Sequence, residues 1–469
     1  MIYKTITQLS EALRNEETTP TELAETSINR LKEHGPTLNC VVTITEKRAH
    51  KQAKRAEEEL RSGKNRGPLH GIPWGAKDLL ATSGGIPTTW GAYPLREQRF
   101  DYDATVVKKL EEAGSVLVAK LAMIELAGGM GYRQPNASFT GPCATPWSLK
   151  HWSGGSSSGS GSAVSAGLVP FAIGSETWGS ILSPSNNCGV AGLRPTYGRV
   201  SRHGAMALSW TLDKLGPLCQ CADDCGLVLE AISGPDSADQ STYPEKWSYM
   251  PEERDYKTAV IKDYLEGKHE AVVKNFKQAM KTLEKYCTIE EIEFPEYPYE
   301  TVTRAILSGE AAAAFDDFTE KGLAAELTAP EDRYGPYARS QVLAKDYLRA
   351  LRLREKMCKI AEDVMEPYDA VIAPTSGTTA HPIDKPFPVK RPWAQGDIMG
   401  AVGNGAGLPS IGVLSGFSDE GLPTGIQFMG RPYDENNILS IAKMYQERTS
   451  WHLKHPEMFD FAGEQVTIW

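Results

Sequence analysis

The sequence predicts an α/β fold, a single large domain in which helices cover both faces of a central mixed, mostly parallel and twisted sheet. Short apolar runs bounded by glycine turns, such as 116–119 and 168–173, indicate buried strands. Helical patterns such as 104–113 alternate with these runs. This alternation is typical of helices packed on both sides of a sheet that contains parallel strands.

Four regions follow one another within this predicted domain of 469 residues. The first begins with two amphipathic helices, because Thr7 can cap one and Thr19-Pro20 can start the next as N-cap and first helical residue. Strand-like runs lie on both sides of a helical stretch, which favours one continuous domain over two. The predicted bounds are 1–65 for the N-terminal helices, 67–235 for a glycine- and serine-rich core, 236–366 for a variable helical region and 367–469 for the C-terminal part of the sheet.

Composition and charge exclude several classes of partner. The formal net charge is −10, so a basic face for nucleic acid is not expected. The first residues lack the apolar segment of a signal peptide, and no run of 18 apolar residues occurs. We therefore expect a cytoplasmic protein with no membrane partner. The eight cysteines fit neither a disulfide framework nor a paired metal motif, so we expect reduced thiols and no metal.

The most informative segment is 152–161, WSGGSSSGSG, which leads directly into the apolar run SAVSAGLVPFAIG. A phosphate cradle is one interpretation, but the G-K-[ST] ending of a P-loop is missing. A flexible linker is another, but a linker would continue as low complexity. A catalytic loop fits best, because glycines permit close backbone approach and strained dihedral angles at the serines.

A second serine, Ser180, follows a glycine in the turn GSETWGS, where consecutive N–H groups can converge on one point, as an oxyanion hole requires. A serine nucleophile needs a base. None of the nine histidines lies in a nucleophile-elbow context, and His203 is the nearest candidate. Lys77, in GIPWGAKDLL, is either a buried lysine with a lowered pKa or a surface lysine paired with Asp78. Spacing alone leaves both interpretations open.

Taken together, these segments resemble the amidase signature family. The resemblance covers nearly the whole chain and is weakest at 235–340. Its motifs are GIPWGAKD at 71–78, SGGSSSGSGSAVSAGLVPFAIGSETWGS at 153–180, CGVAGLRPTYGRVS at 188–201, AGLPSIGV at 406–413 and GLPTGIQFMGRPYDE at 421–435.

The resemblance implies a catalytic trio in which Lys77 relays a proton through Ser156 to the nucleophile Ser180. It also implies a cis peptide bond between Gly155 and Ser156, and it implies no metal or organic cofactor. Backbone N–H groups would hold the oxyanion; by resemblance they belong to Thr177, Trp178, Gly179 and Ser180.

Three positions bear on the substrate. Trp178 stands where family members often have glycine, so an indole should reshape one wall of the pocket. Leu182 stands where members that bind carboxylated substrates have arginine, and an apolar side chain cannot pair with a carboxylate. Asp397 matches an acidic residue that contacts the substrate amine in the glutamine-hydrolysing A subunit of tRNA-dependent amidotransferases; a structural cap is its other interpretation. The acyl pocket would be lined by Gly128, Gly129, Met130, Gly131 and Tyr132.

We therefore expect a stand-alone amidase that acts on a neutral, fairly apolar small-molecule amide, with esters, anilides or carbamates as related substrates. A homodimer is compatible with this expectation. One alternative is the glutaminase A subunit of a tRNA-dependent amidotransferase, which would require partner subunits. Another is a non-catalytic family member that acts as a binding protein.

Overall fold

The structure is a computed structural model that describes residues 1–339, 341–388 and 396–459. The strands are β1 (Val41–Ile44), β2 (Pro73–Lys77), β3 (Val116–Leu121), β4 (Ala144–Thr145), β5 (Ser148–Trp152), β6 (Phe171–Glu176), β7 (Ala191–Arg194), β8 (Lys214–Cys219), β9 (Tyr256–Ile261), β10 (Cys287–Ile292), β11 (Ala370–Pro374), β12 (Ser410–Phe417) and β13 (Pro423–Met429). The α-helices are α1 (Ile6–Arg14), α2 (Pro20–Leu38), α3 (Glu46–Arg61), α4 (Thr105–Glu112), α5 (Ser158–Ser165), α6 (Leu182–Cys188), α7 (Ala222–Ile232), α8 (Glu270–Leu283), α9 (Tyr299–Ala314), α10 (Asp316–Glu320), α11 (Gly335–Arg339), α12 (Ala344–Met365), α13 (Ile398–Gly405) and α14 (Glu435–Thr449).

The main sheet of the described chain contains eleven strands in the order β1-β3-β2-β6-β8-β7-β12-β13-β11-β9-β10. Parallel pairing joins β2 to β3 and β6, and joins β9 to β10 and β11. The other six pairings are antiparallel and lie in the centre and at the β1 edge. In the centre, the short turn between β12 and β13 favours antiparallel neighbours, whereas parallel pairing needs a long crossover. The predicted mixed α/β sheet is confirmed, with its parallel pairings, four of the ten within this sheet of the described chain, grouped in two blocks toward its two ends.

Helices cover both faces of this sheet. Alternate residues of β6 point to opposite faces, and they join two different apolar clusters. Phe171 and Ile173 pack in the cluster that includes residues of α4, α7 and α14. Ala172 packs in the cluster that includes residues of α2, α3 and α5. Polar side chains on the central strands are therefore cut off from water on either face.

The start of α1 differs from the prediction. Thr5, not Thr7, is the N-cap: its hydroxyl accepts a hydrogen bond from the N–H of Gln8, and the Gln8 side chain accepts from the N–H of Thr5. This reciprocal capping box needs a glutamine three residues after the cap, and only Thr5 has one. The predicted cap of α2 at Thr19-Pro20 is confirmed.

The region predicted as helical, 236–366, also supplies two strands of the main sheet. β9 and β10 pair in parallel with each other, and β9 pairs with β11. The sequence hides β10 because it is an edge strand with exposed glutamates at 290 and 291. Position 340, within the predicted region, and positions 389–395 and 460–469, within the predicted C-terminal part, lie outside the described residues. In the part of the chain that is described, no helix is long and apolar enough to cross a membrane.

Candidate active site

Lys77 is the last residue of β2, which lies between β3 and β6, and its side chain is fully buried. Its Nζ lies 2.8 Å from the Ser156 Oγ, 2.8 Å from the Ser175 Oγ and 3.0 Å from the Ser157 Oγ. These contacts are hydrogen bonds to hydroxyl groups, and none of them is an ion pair. The interpretation of Lys77 as a surface lysine is therefore wrong.

Burial dominates the electrostatics of this amine. It lowers the pKa of Lys77 to about 7, although the negative charges of Asp213 and Glu176 partly oppose the shift. A neutral amine can accept a proton, whereas an ammonium group cannot. Lys77 is thus poised to act as a base near neutral pH.

The neighbouring Asp78 has a different partner. Its Oδ1 lies 3.1 Å from the Nζ of Lys120, and both side chains are fully buried. Its Oδ2 accepts hydrogen bonds from the backbone N–H and the hydroxyl of Thr89. Asp78 therefore pairs with Lys120 and not with Lys77, and the Lys77 amine contacts the serines instead.

The glycine- and serine-rich segment connects β5 to α5, and the peptide bond between Gly155 and Ser156 is cis, as the resemblance implies. Gly154 has a φ of +84°, and a Cβ there would lie 2.7 Å from the Pro184 nitrogen. Only glycine therefore lets this segment approach the chain that follows Ser180. The Ser157 N–H donates to the Ser180 carbonyl oxygen at 3.2 Å, which ties the two serine segments together.

The turn from Thr177 to Ser180 connects β6 to α6. Gly179 has a φ of +82°, and a Cβ there would meet nothing within 4 Å, so open space adjoins the turn. Within 1–339, 341–388 and 396–459, the N–H groups of Thr177, Trp178, Gly179 and Ser180 donate to no protein acceptor. Unused N–H groups beside open space are what an oxyanion hole requires.

A buried ion pair between Glu176 and Arg194 anchors the residues that follow this turn. One oxygen of Glu176 accepts the N–H groups of Ile181 at 2.8 Å and Leu182 at 3.0 Å, and the other lies 2.9 Å from Arg194. Burial alone would raise the pKa of Glu176, but the nearby Arg194 and Lys214 hold it below its ordinary value. Glu176 therefore stays ionised and anchors the residues that follow Ser180.

Thr177 is anchored on the opposite side. Its hydroxyl donates to Asp213 Oδ1 at 2.5 Å, and Asp213 Oδ2 accepts the N–H groups of Leu208 and Ser209. Burial raises the pKa of Asp213, while these hydrogen bonds oppose the shift. The turn is thus held at both ends, by Glu176 and by Asp213, and Ser180 between them is 8% exposed.

Asp397 is the N-cap of α13, and its Oδ1 accepts the Gly400 N–H at 3.0 Å. Its Oδ2 accepts the indole N–H of Trp178 at 2.8 Å. The structure thus gives Asp397 the capping role that the sequence left open. Leu182 is buried at the first position of α6, where its backbone binds Glu176.

The loop 128–132 is tightly packed. A Cβ on Gly128 would lie 2.6 Å from the Tyr132 ring, and one on Gly129 would lie 2.3 Å from Phe315. Met130 is buried, and Gly131 has a φ of +95°. The Tyr132 ring contacts Trp152, whose indole lies next to Gly155. The loop therefore supports the segment that carries Ser156.

A cavity of about 200 Å³ borders the site. Ser175, which binds Lys77, and Thr177, which begins the turn, lie in its wall together with Asp213. The remaining wall is mixed. Its apolar and aromatic part comes from Leu79, Ala127, Ala205, Met206, Ala207, Leu208, Trp210, Leu215 and Ala238, and its polar part comes from Arg202, His203 and Asp239.

Several residues of this site have roles that the sequence motifs do not reveal, although all of them except Asp213 lie within those motifs. Ser157 and Ser175 bind Lys77, and Glu176, Arg194 and Asp213 hold the turn. In the sequence, the signal for a buried ion pair is a charged residue in each of two apolar runs: the glutamate of FAIGSE and the arginine of CGVAGLRP. In the described part of the chain, no group of three or more His, Cys, Asp or Glu side chains is arranged to hold a metal ion.

The chain is similar to known proteins over most of its length. The family model described as Amidase matches residues 22–439. The A subunit of the glutamyl-tRNA(Gln) amidotransferase of Moorella thermoacetica is 33% identical, over 98% of this chain and 99% of its own length.

Two solved structures are similar over nearly the whole chain. The native peptide amidase from Stenotrophomonas maltophilia has a TM-score of 0.85 at 28% identity, covering 98% of this chain and 99% of its own. A chain from a vestigial protein complex, described as revealing the evolutionary origins of an s-triazine catabolic enzyme, has a TM-score of 0.87 at 25% identity, covering 95% and 98%. Since the family model and the relatives match almost the entire length, this chain belongs to the amidase signature family.

Proposed function

We propose that the protein hydrolyses amide bonds with Ser180 as nucleophile, Lys77 as base and Ser156 as the proton relay between them. The observation that carries this proposal is the buried amine of Lys77, which has a pKa of about 7 and lies 2.8 Å from the Ser156 hydroxyl. The bond between the Ser157 N–H and the Ser180 carbonyl supports a relay of this kind, because it holds the two serine segments side by side.

In the proposed cycle, neutral Lys77 takes the Ser156 proton while Ser156 takes the proton of Ser180, and the Ser180 Oγ attacks the substrate carbonyl. The N–H groups of Thr177, Trp178, Gly179 and Ser180 would supply the donors that stabilise the tetrahedral oxyanion, a contribution worth about 10²–10³ in rate per donor in such sites. The proton returns through Ser156 to the leaving amine. Water then attacks the acyl-enzyme by the same route and releases the acid.

We propose a neutral, fairly apolar amide as the substrate. The aliphatic side chains in the wall of the bordering cavity (Leu79, Ala127, Ala205, Met206, Ala207, Leu208, Leu215 and Ala238) support this choice, and the two charged side chains there that are not beside the turn, Arg202 and Asp239, pair with each other at 3.4 Å. Leu182 adds to it, because it offers no cation to a carboxylate. Esters, anilides and carbamates pass through the same type of tetrahedral intermediate and are natural secondary substrates.

A second candidate is a glutaminase that works inside an amidotransferase. The observation that favours it is the 33% identity to amidotransferase A subunits over nearly the full length of both chains. In that case the protein would need partner subunits and would release ammonia from glutamine. In the first case the purified chain, as a monomer or homodimer, would be active alone and would leave glutamine intact.

A panel of p-nitroanilides with varied acyl chains, assayed beside glutamine and asparagine, separates these candidates. We expect the wild-type chain to hydrolyse apolar anilides and the Ser180→Ala variant to lose at least about 10³-fold in kcat/KM. Hydrolysis of glutamine alone would favour the amidotransferase role. Equal rates for wild type and Ser180→Ala would overturn the proposal, and binding without turnover of any compound would indicate a non-catalytic protein.

A further inference from the structure

The indole of Trp178 occupies the space between the nucleophile turn and the N-terminus of α13. Its N–H donates to Asp397 Oδ2, and the room for this contact comes from Gly400. A Cβ on Gly400 would lie 2.6 Å from the Trp178 nitrogen and 2.2 Å from Asp397 Oδ2. Trp178, Asp397 and Gly400 are therefore in close contact, and the indole N–H occupies the Asp397 oxygen that does not cap α13.

A second carboxylate, that of Glu300, binds the start of α13. One oxygen of Glu300 accepts the N–H groups of Gly396 at 2.7 Å and Asp397 at 2.8 Å. Its other oxygen lies 3.8 Å from the guanidinium group of Arg304. The helix start that carries Asp397 is therefore held in place by α9 as well as by its own cap.

The charge exposed beside the indole is positive. The Arg304 guanidinium lies 5.3 Å from the centre of the Trp178 ring, and its side chain is 60% exposed. Contacts of this kind between arginine and an indole face are attractive. A substrate that approaches Ser180 past this indole meets an arginine, while the two nearby carboxylates are occupied by donors of the protein.

We propose that Trp178 is a specificity-determining residue: by binding Asp397 it withholds this carboxylate from the substrate, so that amides with an ammonium group beside the scissile bond are rejected. The inference rests on the proposed amide hydrolysis at Ser180 and deepens it by naming the class of acyl group that is excluded. Trp178 belongs to the same turn as Ser180, so an oxygen freed from the indole would lie within one side-chain length of that turn, where the acyl part of the substrate would bind. A free carboxylate there would pair with an ammonium group, and Arg304 would lose its contact with the indole.

A matched pair of substrates tests this role: L-leucine p-nitroanilide and 4-methylpentanoic acid p-nitroanilide, which differ only in the α-amine. We expect wild type to prefer the compound without the amine. Trp178→Gly should shift the ratio of kcat/KM values toward the amine by about 10-fold or more, because a hydrogen bond between charged groups becomes available. Adding Asp397→Asn should reverse the shift, since asparagine can still cap α13 but carries no charge.

A variant that keeps an aromatic side chain at position 178 controls for loss of folding in Trp178→Gly. Trp178→Phe removes the indole N–H and shortens the aromatic side chain but keeps a ring at this position, so it should shift the same ratio in the same direction by a smaller factor. An unchanged ratio in both variants would overturn the inference. So would a shift that persists when Asp397→Asn is added, because the carboxylate would then have no part in it.

A binding measurement keeps this test separate from the test of hydrolysis. Calorimetric titration of each protein with L-leucinamide and with 4-methylpentanamide gives the same preference without turnover. If no anilide is hydrolysed but Trp178→Gly gains affinity for L-leucinamide in an Asp397-dependent manner, the inference holds and the proposed function fails. If hydrolysis occurs but neither ratio moves, the proposed function stands and the role of Trp178 is refuted.

Discussion

Acid should inactivate the enzyme through one group, Lys77. With a pKa of about 7, the fraction of neutral amine is about one tenth at pH 6 and about one hundredth at pH 5. If the neutral amine is the base, kcat/KM should therefore fall about 10-fold per pH unit below 7 and reach a plateau above about pH 8. The assay is kcat/KM for an apolar p-nitroanilide measured between pH 5 and pH 9.5 in buffers of constant ionic strength.

The Lys77→Met variant provides the decisive comparison. It preserves the length of the side chain but removes the amine, so the plateau should fall by about 10²–10⁴ and the acid limb should vanish. Lys32→Met is a matched control, because Lys32 is half exposed and pairs with Glu46 on the surface. A wild-type profile that is flat from pH 5 to pH 9.5 would refute the reasoning, as would an acid limb that survives unchanged in Lys77→Met.

Three further predictions concern stability, and urea unfolding checks each of them. Lys77→Met should raise the free energy of unfolding, and this gain should shrink as the pH rises from about 7 to 10.5. The reason is that folding lowers the pKa of the Lys77 amine, so that in this window the unfolded wild-type chain binds one more proton than the folded chain. A gain that grows with pH would contradict this. Glu176→Gln should lower the free energy of unfolding by about 3 kcal/mol, because Arg194 is left buried without its charge partner. The control Glu97→Gln, whose partner Arg99 is exposed, should change it by less than about 0.5 kcal/mol. Equal effects of the two substitutions would refute the role of burial. Gly154→Ala should destabilise by more than Gly84→Ala, because both glycines have a positive φ but only the former lacks room for a Cβ; equal losses would show that the close approach at position 154 is unimportant.

Local patterns in the sequence predict the parts of the fold that they encode. The apolar runs at 370–373, 410–414 and 425–428 lie within β11, β12 and β13. The run at 168–173 starts before its strand does, because β6 begins only at Phe171, after Pro170. Proline cannot donate to a ladder, so it is disfavoured inside a central strand. The cap at Thr5 depends on a glutamine three residues later, which the identity of the cap residue alone does not reveal.

The candidate site was predictable where one side chain carries the chemistry, and less so where distant residues meet. Lys77 and Ser156 stand in recognisable motifs, and the structure brings their side chains together. The bond between Trp178 and Asp397 joins residues 219 positions apart, and no local pattern encodes it. The same holds for Glu176 and Arg194, which meet because β6 and β7 both pair with β8. Such contacts depend on strand order, which a single sequence specifies only through the complete fold.

Covalent labelling with a fluorophosphonate tests the central claim most directly, because the reagent reacts with an activated serine and not with an ordinary hydroxyl. We predict one phosphonate per chain, located on Ser180 by mass spectrometry of tryptic peptides, with parallel loss of hydrolysis. Labelling should slow below pH 7 as hydrolysis does, and it should be absent in Ser180→Ala. A single adduct on another residue, or full hydrolytic activity in protein labelled completely at Ser180, would contradict the account.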